Sequence, residues 1–433
     1  MPPPPEQVSV RSWCILGILT LVFLTSYIDR YLVSILIQPL RRDLQLSDTQ
    51  IGLIAGLVFA VAYGGFSLPI ARLADMRGRR GVIVVSLAIW SAMTALAGAV
   101  TSFWQLACVR FGLGAGESGC GPASQAIITD LFPEKRRNFA MAVFGSAGSM
   151  GMVLAFAVGG YLESKFGWRW TFVIAGMFSF FIALLVRITV PEAGSPQATP
   201  RPAQPLEMHG SRVAFVKTLT DLWSNPLFRH MPFVYATVSL LMFAQTQWLP
   251  AFLERSFGVP RAELGLKLAL VLGPSMFAGT IIGGFIADQL VRRTLLGPLQ
   301  LIAACLVMAL LPEFYLYRSV TAEHVYIFSA ISGFLVSVPA GPAFSFVQSN
   351  VARSERATAA AVCILVSMVL GSGGGTLLIG FLSDRLAPSL GIESLRWSLM
   401  TTAMIVTPWS LFHVGAVYIS YRRHLSSLSS YPS

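Results

Sequence analysis

The stretch R-F-G-L-G-A-G-E-S-G-C-G-P, from Arg110 to Pro122, sets an arginine and a glutamate inside the apolar run 103–131. An ionisable side chain at membrane depth costs at least ~2.5–3.5 kcal/mol on insertion scales, so such residues are retained for function. Arg110 and Glu117 are seven positions apart, about two helical turns, and share one helix face. Gly112, Gly114, Gly116 and Gly119 thin that helix so that a neighbour can approach closely. One other apolar segment carries comparable charge, the first, with Asp29 and Arg30 in S-Y-I-D-R-Y. The two segments are expected to face each other across a polar site inside a membrane protein.

Composition supports that setting. Of 433 residues, 55% are hydrophobic and 12% charged, against about 25% charged in soluble domains. Several apolar runs exceed the ~20 residues that cross a bilayer. The first run is too long for a removable signal peptide and is interrupted by Asp29 and Arg30. The formal charge of +11 falls in short loops between apolar runs, a distribution explained by the positive-inside rule. No nucleic-acid partner is therefore expected. Cys14, Cys108, Cys120, Cys305 and Cys363 all lie in apolar segments. Their odd number and spacing predict neither a disulfide framework nor a metal site, and no cofactor is expected.

Taken in order, residues 1–12 read as a disordered tail. Apolar segments follow at about 13–40, 51–73, 82–100, 103–131, 139–162 and 168–190, an N-terminal six-helix bundle. The interval 191–228 opens P-E-A-G-S-P-Q-A-T-P-R-P-A-Q-P and reads as a semi-extended cytoplasmic linker. Within it, V-A-F-V-K-T-L-T-D-L-W (213–223) is amphipathic and suits a membrane surface. A C-terminal bundle (229–421) holds segments at about 230–252, 264–290, 295–316, 324–347, 358–382 and 395–421, and 422–433 is a tail. Loops rich in Lys and Arg (Arg77, Arg79 and Arg80; Lys135 to Arg137; Arg292 and Arg293) alternate with poorer ones. Both termini and the linker are thus assigned to the cytoplasm.

The halves echo each other. A-R-L-A-D-M-R-G-R-R (71–80) follows the second segment, and G-F-I-A-D-Q-L-V-R-R (284–293) follows the eighth. G-G-Y-L-E (159–163) is matched by G-F-L-S-D (380–384). Repeated halves with a mid-membrane site characterise secondary transporters.

Asp75-x-x-Gly78-Arg79-Arg80, the twelve segments and the central linker resemble the major facilitator superfamily, although Ala71 and Met76 depart from its usual loop motif. Arg110-x-x-x-Gly114-x-Gly116 resembles the superfamily's fourth-helix motif. The Gly-Pro centre of the drug antiporters' fifth-helix motif is missing at Ala155-Phe156. Within the superfamily the chain is most similar to Spinster proteins, through Y-I-D-R-Y (27–31), R-F-G-L-G-A-G-E-S (110–118) and I-T-D-L-F-P-E-K-R-R (128–137). The match covers the N-terminal half well, while the C-terminal half is superfamily-like. Spinster relatives are implicated in moving lysophospholipids and sphingosine phosphate. The resemblance implies an all-α major facilitator fold, a bacterial homologue, and Asp29, Arg30, Arg110 and Glu117 as the coupling and headgroup-binding cluster.

Each site has a plainer reading. Asp29 lies about 24 Å into the first helix, and Arg110 about 10 Å from the opposite end of the antiparallel fourth, so their levels match. Asp29 and Glu117 are expected to exchange protons while Arg110 and Arg30 hold an anionic headgroup or the free carboxylates. Burial raises a carboxylate pKa and a nearby arginine lowers it, so substrate or conformation can switch protonation. The plainer reading is a permanent ion pair between helices. The loop residues Asp75, Arg77, Gly78, Arg79 and Arg80, with Asp130 as partner to an arginine, are read as a gating latch, or else as topology signals alone. Gly114-A-Gly116-E-S-Gly119 spells G-x-G-x-x-G but follows no strand, so helix packing is the reading. Gly371 to Gly375 is read as close packing or a flexible point.

The resemblance places the first, fourth, seventh and tenth helices around the cavity, lined by Tyr27, Tyr31, Ser118, Gln245, Gln247, Trp248, Ser337 and Ser345. Pro339 and Pro342 are candidate bending points. The seventh and tenth segments carry no mid-membrane charge, so the cavity is expected to be charged on the N-terminal side and apolar on the C-terminal side. His413 is read as a packing residue. The expected function is proton-coupled alternating-access transport of a lysolipid or sphingoid-type amphiphile by a monomer in the inner membrane. Its partners are a lipid-like substrate, protons and membrane lipids, and no bond chemistry is expected. The alternatives are a proton-coupled carrier of a small organic anion or drug, and a non-transporting sensor.

Overall fold

The computed structural model describes residues 8–191, 212–294, 296–352 and 355–429. Residues 1–7 of the expected N-terminal tail, most of the proline-rich linker and the last four residues lie outside it. The described residues form sixteen α-helices and no strand. They are α1 (Val10–Leu44), α2 (Asp48–Gly52), α3 (Val58–Arg77), α4 (Arg79–Ala97), α5 (Phe103–Glu117), α6 (Cys120–Leu131), α7 (Glu134–Thr189), α8 (Arg212–Ser224), α9 (Met231–Phe257), α10 (Arg261–Arg293), α11 (Gly297–Arg318), α12 (Ala322–Ser337), α13 (Ala340–Ser349), α14 (Arg356–Val366), α15 (Gly375–Leu390) and α16 (Ser394–Ser429). Lengths follow apolar content, and breaks follow identifiable residues. Ser9 caps α1, accepting from the Ser12 backbone at 3.1 Å. Arg41 and Arg42 in its last turn offset the negative end of the helix dipole. Gly167, at φ 77°, divides α7 in two, in a backbone region that glycine alone adopts without strain.

Eight continuous runs among the described residues are long and apolar enough to cross a membrane. Two of them, Lys135–Thr189 and Thr358–Arg423, each contain two expected segments. The α5/α6 pair and α9 supply the remaining two of the expected twelve. The helices α1 and α16 reach into the expected tails, starting at Val10 and ending at Ser429. The amphipathic linker stretch is helical, as α8, with Leu222 buried and Trp223 exposed. Large apolar side chains such as Phe181, Leu270, Met308 and Phe412 point outward, as lipid-facing surfaces require.

The two halves break at equivalent places. The fourth segment divides between α5 and α6 at Ser118 and Gly119, and the tenth between α12 and α13 at Val338 and Pro339. Proline removes a helix donor there. The second and eleventh segments each contain a π-helical stretch, Leu53–Leu57 and Ser367–Gly374, the latter in the glycine run. Such wide turns interrupt the regular ladder without ending the helix.

By contact the described residues group into two compact units that differ from the expected bundles. Unit 1 holds residues up to Leu46, residues 58–191 and Pro260–Ala269; unit 2 holds Ser47–Leu57, 212–259 and 270–429. The start of the second segment thus joins the later helices, and the start of the eighth joins the earlier ones. The cause lies in small residues and buried ion pairs. In unit 1, Gly160 and Gly265 lie against each other's backbone, and Glu163 holds Arg261 at 2.5 Å. In unit 2, Gly52 lies against Thr376 and Gly380 against Asp48. Asp384 caps α2 there, accepting from the Asp48 and Thr49 amides at 3.0 and 2.7 Å. The repeat-matched residues Glu163 and Asp384 each hold the start of a helix in their own unit, Glu163 through the Arg261 side chain of α10 and Asp384 through the backbone amides of α2. Unit 1 is otherwise built on α1 and α4 against α7, and α3 and α4 against α5, with Leu19, Ile83, Leu87, Phe144 and Phe156 in its core. Unit 2 is built on α9, α11, α12, α15 and α16, around Trp248, Phe252, Leu306 and Val417.

Candidate functional site: a buried charge cluster in unit 1

Asp29 and Arg30 sit midway along α1, and Arg110 and Glu117 lie on α5. Asp29, Arg110 and Glu117 are each only 2% exposed. Arg30 pairs with Glu117: its Nε donates to Oε1 at 2.7 Å, and Nη2 donates to the same atom. The Ser26 hydroxyl donates there as well. On the other side of α1, the Asp29 carboxylate accepts from the Trp90 indole and, at 3.1 Å, from Thr94 Oγ1, both on α4. Arg110 Nη1 donates to the Asp29 backbone carbonyl at 3.4 Å. Asp29 Oδ1 and Glu117 Oε2 are buried and accept no hydrogen bond among the described residues.

Local sequence explains the geometry. Glu117 ends α5 just before the Ser118–Gly119 break, which keeps its carboxyl at the level of Ser26 and Arg30. Gly116 lets α4 approach, because a Cβ there would sit 3.1 Å from the Trp90 amide nitrogen. Gly114 does the same for α3, where a Cβ would meet the Phe59 carbonyl at 2.7 Å. The Arg30 guanidinium lies 5.1, 4.9 and 5.0 Å from the ring centres of Tyr27, Phe59 and Tyr63. Arg110 lies 5.5 Å from that of Phe59. A cation packed among aromatic faces is stabilised by their quadrupoles.

The sequence-based pairing set Asp29 against Arg110. Arg110 Nη1 meets the backbone carbonyl of Asp29, and an ion pair between Arg30 and Glu117 links α1 and α5. Trp90, Thr94 and Ser26 escaped the sequence reading. An indole at mid-span, which needs an acceptor when buried, was the available signal.

The other predicted residues fall as follows. Tyr27 and Tyr31 stack along α1 at 6.2 Å, and Tyr31 meets Phe156 edge-on. Ser118 is buried and turns back to the Ala115 carbonyl at 2.8 Å. In unit 2, Trp248 is fully buried and donates to the Thr376 carbonyl at 3.3 Å, while Ser337 bonds the Gly333 carbonyl at 2.7 Å. Gln247 is buried, whereas Ser345 is exposed. Gln245 is buried against Glu313 and Ser332. The ninth segment, α11, adds a buried carboxyl that the sequence reading did not mark, Glu313, beside the uncharged α9 and α12. Glu313 sits five residues from Arg318, near the rim of its segment, where charge is ordinary.

At the loop between α3 and α4, Gly78 takes φ 97° and Arg79 pairs with Asp130. Arg80 reaches the Val190 carbonyl at 3.4 Å and Arg77 is exposed. The Asp75 side chain lies outside the described residues. His413 packs on Phe233 and Trp409, and its Nδ1 lies 2.9 Å from that of His230. Unit 2 holds a second network that the sequence left unmarked. Arg255 grips both oxygens of Asp48 at 2.6 Å, and Ser383 donates to the same carboxylate at 2.7 Å.

Known proteins agree with this architecture. Residues 19–375 match the family model of the Major Facilitator Superfamily. An MFS-type efflux pump of Mycolicibacterium smegmatis is 34% identical over 412 residues, covering 94% of this chain and 91% of that protein. Protein spinster homolog 1 of Xenopus laevis is 25% identical over 446 residues, covering 97% and 83% respectively. A crystal structure of a bacterial homologue of the human lysosomal transporter Spinster, inward-facing and unoccupied, superposes with a TM-score of 0.82. It shares 23% identity over 97% of this chain and 99% of that one. With an all-helical fold of repeated halves and a family match across most of its length, the chain belongs to the Major Facilitator Superfamily.

Proposed function

We propose that this multi-pass membrane transporter moves a lysophospholipid or sphingolipid-like amphiphile by proton-coupled alternating access. It acts as a monomer in the inner membrane with both termini cytoplasmic. The observation that carries the reading is Arg30, held by Glu117 and surrounded by Tyr27, Phe59 and Tyr63, with Asp29 next to it in the chain. Protonation of Glu117 cancels the charge opposite Arg30 and leaves the guanidinium to an anionic headgroup, which it can bind through two parallel hydrogen bonds. Deprotonation restores the ion pair and expels the headgroup. Asp29 supplies a second exchangeable proton beside Arg110. The aromatic faces suit the apolar part of an amphiphile next to its charge. Arg79 with Asp130, and the Asp75 loop, act as the latch between states. Similarity to spinster homolog 1 over nearly the whole chain supports the lipid class.

A small organic anion or drug is the second reading, favoured by the 34% identical MFS-type efflux pump. Ligand-dependent thermal stabilisation in lipid nanodiscs separates the two, since a ligand at 100 times its Kd adds about 2.7 kcal/mol. A phosphate-bearing lysolipid is expected to raise the melting temperature, the corresponding monoacylglycerol to leave it unchanged, and Arg30→Gln to abolish the shift. An equal shift from a short organic anion without an acyl chain would favour the second reading.

A further inference from the structure

Glu313 has no part in the cluster of unit 1, and its surroundings differ in kind. It lies on α11, is 2% exposed, and accepts at Oε1 from Gln245 Nε2 and Ser332 Oγ, both at 2.6 Å. Gln245 also donates to Ser332 at 2.6 Å, closing a three-membered polar ring across α9, α11 and α12. Glu313 Oε2 and Gln245 Oε1 are buried and accept no hydrogen bond among the described residues. No ion pair to Glu313 occurs among the described residues. The titratable group that faces the carboxyl is Tyr317, one turn further along α11. The helices α9 and α12 present neutral Gln245 and Ser332, α13 carries no charged residue, and Arg396 of α16 is paired with Glu393. A buried carboxylate without a counter-cation is unfavourable, so the site favours a bound proton.

Tyr317 also borders a cavity, a pocket of about 280 Å³ that it lines with Arg318, Glu393, Arg396 and Trp397. Glu393 and Arg396 neutralise each other there at 2.6 Å. Tyr317 thus has the buried carboxyl on one side and the pocket on the other.

We propose that Glu313, with Gln245 and Ser332, is a second proton-binding site, loaded and emptied through Tyr317 from the Arg318–Arg396 pocket. On release the Glu313 O–H bond breaks and its proton passes to the Tyr317 oxygen, while the phenol proton passes to water in the pocket. Loading is the reverse. The inference requires neither Asp29 nor Glu117, nor any particular transported molecule.

Infrared difference spectroscopy of reconstituted protein after a pH jump tests it without a transport assay. Wild type is expected to show a protonated-carboxyl C=O band that Asp29→Asn keeps and Glu313→Gln loses, and that bleaches as pH rises. Tyr317→Phe is expected to keep the band and slow its response at least ~10-fold, on the scale of a lost proton-transfer partner. If Glu313→Gln does not fold, Glu313→Asp substitutes, with the band displaced instead of lost. Identical wild-type and variant spectra would overturn the proposal by showing an ionised Glu313. So would a band that never titrates while the protein stays folded, because the carboxyl would then be a permanent hydrogen-bond donor.

Discussion

At the scale of single residues, the charges inside apolar segments set the expectations. Glu117 is the acceptor shared by Arg30 and Ser26, and removing either ionic partner strands the other charge. Breaking a buried pair from one side costs about 3–5 kcal/mol, whereas replacing both partners with well-packed neutral groups is far milder. Arg30→Met is therefore expected to lower stability by that amount, and Arg30→Met with Glu117→Gln to recover most of it, in thermal unfolding of the reconstituted protein. Trp90→Phe should cost about 1–3 kcal/mol, because Asp29 loses a buried donor that no solvent replaces. Asp29, Arg30, Arg110 and Glu117 were legible because ionised groups stand out in apolar runs. Trp90, Thr94 and Ser26 were not, because neutral polar residues are common in membrane helices. Which arginine meets which carboxylate depends on helix rotation, and matching levels along the bilayer normal does not fix that angle.

At the scale of helices, the repeats were legible and their exchange of segments was not. G-G-Y-L-E and G-F-L-S-D mark equivalent ends of α7's first half and α15. Only the folded chain shows Glu163 holding Arg261 at the start of α10, and Asp384 capping α2. Glycine contacts are the other half of this arrangement. Gly114→Val is expected to cost at least ~1–3 kcal/mol by overpacking against the Phe59 carbonyl. Gly145→Ala, with open space at its Cβ, should cost much less. Asp48→Asn removes the charge that Arg255 grips through both nitrogens and that Ser383 also bonds. About 3–5 kcal/mol is the expected loss, read as earlier melting and, at fixed temperature, faster amide exchange over α2 and the end of α9. The bend between α12 and α13 was foreseeable from Pro339, whereas the π-helical stretch at Leu53–Leu57 has only a glycine to announce it.

At the scale of the whole molecule, a transporter needs two states whose balance ligand and protons can tilt, and each can tilt it only by its difference in affinity between the states. In the proposed mechanism, Glu117 and Asp29 are the proton-sensitive element of unit 1, and their protonation changes what Arg30 and Arg110 can hold. The proposed mechanism has protons driving lipid movement through this cluster. The most direct test is uptake of labelled lysophospholipid by proteoliposomes under an imposed pH gradient, comparing wild type with Asp29→Asn. Uptake is expected to follow the gradient in wild type and to fall at least ~10-fold in the variant, while the variant's melting temperature stays within the range of a single lost hydrogen bond. Gradient-independent uptake, or equal gradient-driven uptake by folded Asp29→Asn, would contradict it.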